Sequence, residues 1–239
     1  MATTTDVTFP ASTGRLMRAA LALPTGGGRR PAMIVIHEAF GLNDDIRRLT
    51  GRFADLGYVA LAPDLFDTGA PRALCVLRAF LAVRRREGPA FADLEAARTC
   101  LAARSDVDAT RTGVAGFCLG GGFALLYAVR APLGAAAVFY GEVPSSTDEL
   151  RGVCPVVAGY GGRDRIFASQ GRRLDEHLAA LGVAHDVRIY PDAGHSYMSP
   201  HTGAMATLGA WGPMRVGFNA EAERDSWSRM ADFFARHLG

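Results

Sequence analysis

The stretch Gly113–Ala128, "GVAGFCLGGGFALLYA", places a cysteine between glycines where an apolar run meets a helical run. Cys118 has Gly116 two residues before it and Gly120 two residues after it. A strand, a sharp turn and a helix in this order are the setting of a nucleophile elbow. The glycines remove side chains that would collide in so tight a turn, and the helix N-terminus favours a thiolate. The pattern therefore predicts that Cys118 is a nucleophile and not a small buried apolar residue.

Short apolar runs alternate with longer amphipathic stretches along the rest of the chain. The predicted strands are Ala32–His37, Tyr58–Ala62, Thr112–Gly116, Ala135–Tyr140, Pro155–Tyr160 and His185–Tyr190. The predicted helices are Asp45–Leu56, Phe91–Ala103, Gly120–Arg130, Gln170–Leu181 and Ala222–Leu238. This alternation predicts an α/β fold over residues 1–239 as a single domain, with a mostly parallel central sheet covered by helices on both faces. In such sheets, ligands bind beyond the carboxyl ends of the strands.

Charge and composition argue against several function classes. The net charge is +2, from 26 basic and 24 acidic residues without a long block of one sign, so neither nucleic acid nor a membrane is an expected partner. Every basic residue is arginine, which excludes a lysine Schiff base and a GxxxxGK phosphate loop. The longest apolar run, Phe123–Val129, is far too short to span a membrane. With no signal-peptide pattern in "MATTTDVTF", a cytoplasmic location is expected.

The four cysteines are too widely spaced for a disulfide scaffold, a structural zinc site or a C-x-x-C redox motif. They are Cys75, Cys100, Cys118 and Cys154. Outside position 118, we expect them to be ordinary core residues. No metal and no cofactor is predicted.

A cysteine nucleophile requires a base, and the base requires an orienting acid. Asp164, in "VVAGYGGRDRIF", and His195, in "VRIYPDAGHSYM", each follow a predicted strand and give the chain order nucleophile, acid, histidine. Asp192 and His201 are the rivals for these two roles. Asp192 is only three residues before His195 and more plausibly shapes that turn, whereas His201 lacks the position directly after a strand.

The segment "VIHEAFGLN" places a His-Glu pair at the end of the first strong strand. A zinc-protease interpretation requires H-E-x-x-H, but Gly41 occupies the position of the second histidine. This loop can instead supply one backbone N–H of an oxyanion hole, from Ala39, with the N–H of Leu119 as the second. Glu38 could accept the proton of the thiol, or it could simply bond to neighbouring backbone or to an arginine.

The chain resembles the dienelactone hydrolase family of α/β-hydrolases over nearly its full length. The motifs that carry the resemblance are "HEAFGLN", "GYVALAPDLF", "DLEAA", "GFCLGGG", "GGRD" and "AGHSY", in family order. The resemblance implies a Cys118–His195–Asp164 triad, with Glu38 taking part in activation of the thiol when substrate binds. It also implies hydrolysis of enol-lactones such as dienelactone (4-carboxymethylenebut-2-en-4-olide), which yields maleylacetate, without a cofactor.

The substrate is less well determined than the mechanism. In the family, an arginine four residues after the catalytic histidine holds the substrate carboxylate, and this position is Ser199 here. Candidate substrate contacts are His37, Phe40, Tyr140 and Arg78, the last on a further predicted helix that precedes the nucleophile strand. A small neutral ester or thioester is the alternative substrate. From a different class, a ligand-binding or redox-sensing protein with Cys118 as its reactive thiol is a further alternative.

The segment after His195 is long and apolar, and it either covers the pocket or packs on the core. Its apolar residues are Met198, Met205, Trp211, Met214 and Phe218. The expected partner is a small-molecule ester or lactone, and the protein is expected to be a monomer or a homodimer.

Overall fold

The computed structural model describes residues 2–201 and 209–239. Its strands are β1 (Thr4–Pro10), β2 (Leu16–Ala22), β3 (Arg30–Ile36), β4 (Val59–Pro63), β5 (Val107–Phe117), β6 (Ala135–Phe139), β7 (Val156–Gly161) and β8 (His185–Tyr190). Its helices are α1 (Asp44–Asp55), α2 (Arg72–Arg85), α3 (Pro89–Ala102), α4 (Leu119–Ala128), α5 (Ala168–Ala180) and α6 (Ala220–Leu238). A short 3₁₀ helix covers Thr147–Leu150.

All eight strands form one sheet in the order β1-β2-β4-β3-β5-β6-β7-β8. The pairs from β4 through β8 are parallel, and β1 and β2 join antiparallel at one edge. Helices α1 and α6 meet through Phe53 and Trp227, whose rings lie 5.0 Å apart. Helices α3 and α4 meet through Phe91 and Phe123, at 5.2 Å. The predicted α/β-hydrolase fold, with helices around a mostly parallel sheet, is confirmed.

The two antiparallel edge strands were not predicted, for reasons that lie in their residues. Strand β2 reads "LMRAALA", and leucine, methionine, arginine and alanine are strong helix formers. Strand β1 is largely exposed and lacks a buried apolar face. Pairing with β4 and β1 decides the conformation of β2, so tertiary context overrides local propensity there.

The carboxyl ends of the parallel strands bring the candidate residues to one edge of the sheet. Strand β3 ends two residues before Glu38, and β5 ends directly before Cys118. The loop after β7 carries Asp164, and the loop after β8 carries His195. Within the described ranges, no helix is both long and apolar enough to cross a membrane.

Candidate active site

Cys118 occupies the turn between β5 and α4 with a backbone that non-glycine residues rarely adopt. Its φ is 54° and its ψ is −117°. A Cβ on Gly116 would lie 2.0 Å from the carbonyl oxygen of Gly120, and a Cβ on Gly120 would lie 2.3 Å from that of Ile36. Such a conformation costs on the order of 1–3 kcal/mol and persists only where the surroundings impose it. The glycines thus allow strand, turn and helix to come close enough to present the thiol.

His195 and Asp164 form a buried pair beside the turn. The His195 Nδ1 lies 2.6 Å from the Asp164 Oδ2, and the side chains are 3% and 0% exposed. The other carboxylate oxygen, Oδ1, accepts hydrogen bonds from the backbone N–H groups of Ile166 and Phe167, at 2.9 and 3.0 Å. Both carboxylate oxygens of Asp164 therefore accept hydrogen bonds, which fixes the position of the imidazole. The Nε2 of His195 has no hydrogen-bond partner among the described residues.

The segment after residue 209 braces the loop that carries His195. The backbone N–H of His195 donates to the carbonyl of Met214 at 2.9 Å, and the N–H of Gly217 donates to the carbonyl of His195 at 3.2 Å. The N–H of Arg165 donates to the carbonyl of Pro213 at 3.0 Å, which ties in the Asp164 loop. The loops that carry His195 and Asp164 are thus both held by backbone hydrogen bonds to residues 213–217.

The charge state of His195 follows from its neighbours. Burial opposes the positive charge of the ring, but the Cys118 sulfur and the Asp164 carboxylate outweigh it and raise the pKa of His195 to about 10. A raised pKa favours the protonated ring, which can give a proton to a leaving group.

The two residues expected to supply oxyanion-hole N–H groups line the same cavity as Cys118. Ala39, after β3, and Leu119, the first residue of α4, both line the cavity at Cys118. Neither N–H is taken by a backbone acceptor within the part of the chain that the structure covers. Free donors on both sides of a nucleophile are the arrangement that stabilises an oxyanion.

Glu38 is buried and touches a histidine that the sequence ranked only as a rival base. Its Oε2 lies 2.8 Å from the His201 Nε2, and its side chain is 3% exposed. The other oxygen, Oε1, has no hydrogen-bond partner among the residues described. Burial of the His201 ring opposes its charge, but Glu38 and Asp45 outweigh it and raise the pKa of His201 above the ordinary value.

These groups meet at a cavity of about 930 Å³, which Cys118 and His195 line. Much of its wall is apolar, from Phe40, Phe80, Val83, Leu119, Phe167, Met214 and Val216. Its other titratable side chains are Asp44, Asp45, Arg72, Glu142 and His201. The size fits a small organic molecule, and the apolar wall suits one with little charge.

The comparisons with known proteins agree with this geometry. A family model described as the dienelactone hydrolase family matches residues 17–238. The chain belongs to this family. A carboxymethylenebutenolidase of Rhodococcus opacus is 30% identical over 227 residues, which cover 90% of this chain and 83% of the relative. A Methylorubrum extorquens protein provisionally given the same name is 29% identical over 248 residues, covering 97% and 80%.

A solved structure of a dienelactone hydrolase-like promiscuous phosphotriesterase from metagenomic libraries has a TM-score of 0.85 against this chain. It is 26% identical, and the match covers 100% of both chains. The similarity to a dienelactone hydrolase-like structure is therefore not limited to one part of the sequence.

Of the four candidate substrate contacts, only Phe40 lines the dienelactone hydrolase-type cavity. The His37 ring points elsewhere: its Nδ1 contacts the Glu38 carbonyl at 2.7 Å, and its Nε2 accepts from the Leu65 N–H at 3.1 Å. Burial is the main effect that lowers the pKa of His37. His37 therefore does not line the cavity, and its ring connects the strand-end loop to the neighbouring one.

Tyr140 and Arg78 also lie outside the cavity wall. Tyr140 is fully buried and packs on His195, with 5.0 Å between the ring centres. Arg78 is on the exposed side of α2. Arg72, at the start of the same helix, is the arginine that the described part of the wall contains. The sequence located the helix but did not reveal which arginine faces inward.

The apolar segment after His195 divides between the two expected roles. Met198 is fully buried and belongs to the core, whereas Met214 lines the cavity. Trp211 and Phe218 are 81% and 48% exposed and do neither. Met205 lies outside the described residues.

The cysteines other than Cys118, and Asp192, have environments unlike those of the candidate site residues. Burial raises the pKa of the Cys154 thiol to about 12, and it also raises the pKa of Cys100. Cys75 is buried against Thr68, whose Oγ1 is 3.1 Å from its sulfur. Asp192 is exposed in the turn before His195.

Proposed function

We propose that the protein hydrolyses an enol-lactone or a small carboxylic ester through a thioester on Cys118. The observation that supports this most is the strained Cys118 turn beside the buried His195–Asp164 pair, at the floor of a cavity. Membership of the dienelactone hydrolase family supports the same reaction class. No step requires a metal or a cofactor.

In the first half-reaction, the Cys118 sulfur attacks the carbonyl carbon while Glu38 or His195 holds the thiol proton. The carbonyl electron pair moves onto the oxygen, which the N–H groups of Ala39 and Leu119 stabilise. When the tetrahedral intermediate collapses, the carbon–oxygen bond of the ester breaks, and the leaving oxygen takes up a proton from the imidazolium. The products are the enol or alcohol and a thioester on Cys118.

In the second half-reaction, the change of charge at sulfur prepares His195 for its next role. A thioester sulfur is neutral, so the imidazolium loses one of the two groups that raise its pKa. Neutral His195, still oriented by Asp164, can then accept a proton from water. The resulting hydroxide attacks the thioester carbon, the carbon–sulfur bond breaks, and the acid leaves with the thiol regenerated.

A neutral ester is the second candidate substrate, and the cavity wall favours it. Ser199, at the position where the family has a carboxylate-binding arginine, is fully buried and does not line the cavity. Arg72 is offset by three carboxylates in the wall, Asp44, Asp45 and Glu142. An anionic lactone would be repelled by these carboxylates, whereas a neutral ester avoids this cost.

Hydrolysis of dienelactone and of p-nitrophenyl acetate, by the wild-type protein and by Cys118→Ala, tests both candidates. Turnover of the lactone that is lost in Cys118→Ala supports an anionic substrate held by Arg72. Turnover of the aryl ester alone, lost in the same variant, supports a neutral substrate. Near-normal activity in Cys118→Ala would refute the thioester mechanism for both.

A further inference from the structure

The Glu38 carboxylate has an unusual environment for a group that is to take a proton. It is buried at the end of β3, one oxygen lies against the His201 ring, and the other has no partner in the described ranges. No arginine pairs with it there, although an arginine was one of the expected partners. A buried carboxylate without a cation favours its protonated form, which cannot accept another proton.

The charged groups around His201 come from several elements. Glu38 lies after β3, Asp45 is on α1, and His195 is on the loop after β8. The first two favour a positive ring, and His195, itself cationic, opposes it. Arg48 binds the Asp45 carboxylate, with 2.8 Å from its Nε to the Oδ1, and so weakens the contribution of Asp45.

A further ionisable group, the hydroxyl of Tyr140, interacts with both Glu38 and Cys118. The hydroxyl of Tyr140, after β6, is buried, and its ionisation is opposed by burial and by the nearby Glu38 and Cys118. Neither Tyr140 nor Cys118 brings a positive charge to the carboxylate. Among the residues covered by the structure, His201 is thus the side chain in contact with Glu38 that can carry a positive charge.

We propose that His201 is the positioning residue for Glu38: its ring holds the buried carboxylate in place at the end of β3, ready to take the proton of Cys118. This inference rests on the proposed function, in which Glu38 shares in activating the thiol. His201 lines the cavity, and its ring packs on Phe40, with 5.0 Å between ring centres. A substrate that enters the cavity therefore meets the residue that controls the base.

Replacement of His201 by a neutral or by a permanently charged residue separates positioning by charge from simple packing. In His201→Gln, Glu38 loses the partner that can carry a positive charge, so we expect the acid limb of kcat/KM to move up by about one pH unit. In His201→Arg, a cation remains and the acid limb stays at the wild-type pH. The matched control is His185→Gln, which breaks a histidine–carboxylate contact with Asp175 (3.4 Å) away from the cavity and should leave the profile unchanged.

Alkylation of Cys118 by iodoacetamide gives the same test without a substrate. The rate, followed by peptide mass across pH 5 to 9, should show the same upward shift of about one pH unit in His201→Gln and none in His201→Arg. Equal profiles in these two variants would overturn the proposal. If the wild-type protein hydrolyses no ester but the alkylation profile shifts as expected, the proposed function fails while the role of His201 stands.

NMR titration of the His201 ring supplies the reciprocal measurement. In Glu38→Gln the ring loses its partner, so the pKa of His201 should fall below its wild-type value. An unchanged titration would show that the two groups do not form a charged pair and would overturn the proposal, whatever the activity of the enzyme.

Discussion

Two histidine–carboxylate pairs stand at the same cavity, and the structure holds them in different ways. In His195–Asp164 both carboxylate oxygens are bonded, and both side chains are almost completely buried. In His201–Glu38 one carboxylate oxygen has no partner among the described residues, and the ring is half-buried against the exposed Phe40. A pair with every acceptor committed keeps one geometry, whereas a pair with a free acceptor can change its partner. In the proposed mechanism, the first pair orients a base, and the second responds to what enters the cavity.

Replacing the histidine of the His195–Asp164 pair, called the fixed pair here, should have the largest effect on the rate of hydrolysis. His195→Gln removes the group that protonates the leaving oxygen and activates water, so kcat for ester hydrolysis should fall by about 10⁶-fold. Steady-state kinetics with p-nitrophenyl acetate measures this, with His185→Gln as the control outside the site. Retention of more than a tenth of the wild-type rate would show that a group other than His195 is the general base.

Breaking the same pair at its acid should cost less. Asp164→Asn leaves the base in place but removes the charge that orients it, so kcat should fall by about 10⁴-fold. The control is Asp192→Asn, the exposed aspartate in the neighbouring turn, which should keep full activity. The reverse ranking of these two variants would exchange the roles of Asp164 and Asp192.

The charge of His195 should depend on the sulfur beside it. Cys118→Ala removes a cause that raises the pKa of His195, so the pKa should fall from about 10 toward or below the ordinary value. Since a raised histidine pKa adds stability at low pH that is lost as pH rises through that pKa, the wild-type protein should lose this stability near pH 10, and the variant at lower pH. NMR titration of the ring and thermal melts between pH 6 and 10 measure both shifts. If His195 has the same pKa in the two proteins, the Cys118 sulfur does not influence the charge of the ring.

Replacing the carboxylate of the His201–Glu38 pair, called the responsive pair here, should have a smaller effect on the rate of hydrolysis. Glu38→Gln keeps the shape and removes the proton acceptor, so acylation should slow by about 10²-fold while deacylation by His195 is unchanged. Stopped-flow release of p-nitrophenol resolves the two steps. Slower deacylation with normal acylation would contradict a role for Glu38 at the thiol.

Removing a side chain that packs on the responsive pair, while both of its members stay in place, should have the smallest effect on the kinetics. Phe40→Ala removes the ring that packs on His201, so KM should rise a few-fold with little change in kcat. Because Phe40 is 42% exposed, the free energy of unfolding should change by about 0.5 kcal/mol or less. Steady-state kinetics and thermal melts check both parts. A large fall in kcat would mean that the second pair is as rigid as the first.

The sequence predicted the features that local chemistry determines. The glycines around Cys118 require a tight turn, and the parallel sheet brings Asp164 and His195 to the same edge. The contact between Glu38 and His201 could not be read in this way, since it joins two loops that are distant in the chain. The direction of the His37 ring was also beyond prediction, because adjacent residues of a strand-end loop point to different sides. The helix that carries Arg78 was expected, but only its packing shows that Arg72 faces the cavity.

Trapping the acyl-enzyme tests most directly whether Cys118 is the nucleophile served by the fixed pair. His195→Gln, mixed with p-nitrophenyl acetate and measured by intact-protein mass spectrometry, should accumulate one acetyl group that peptide mapping places on Cys118, because the variant cannot activate water. The same treatment of the Cys118→Ala, His195→Gln double variant should leave the protein unmodified. Acetylation at another residue, or turnover that persists in the double variant, would contradict the thioester mechanism.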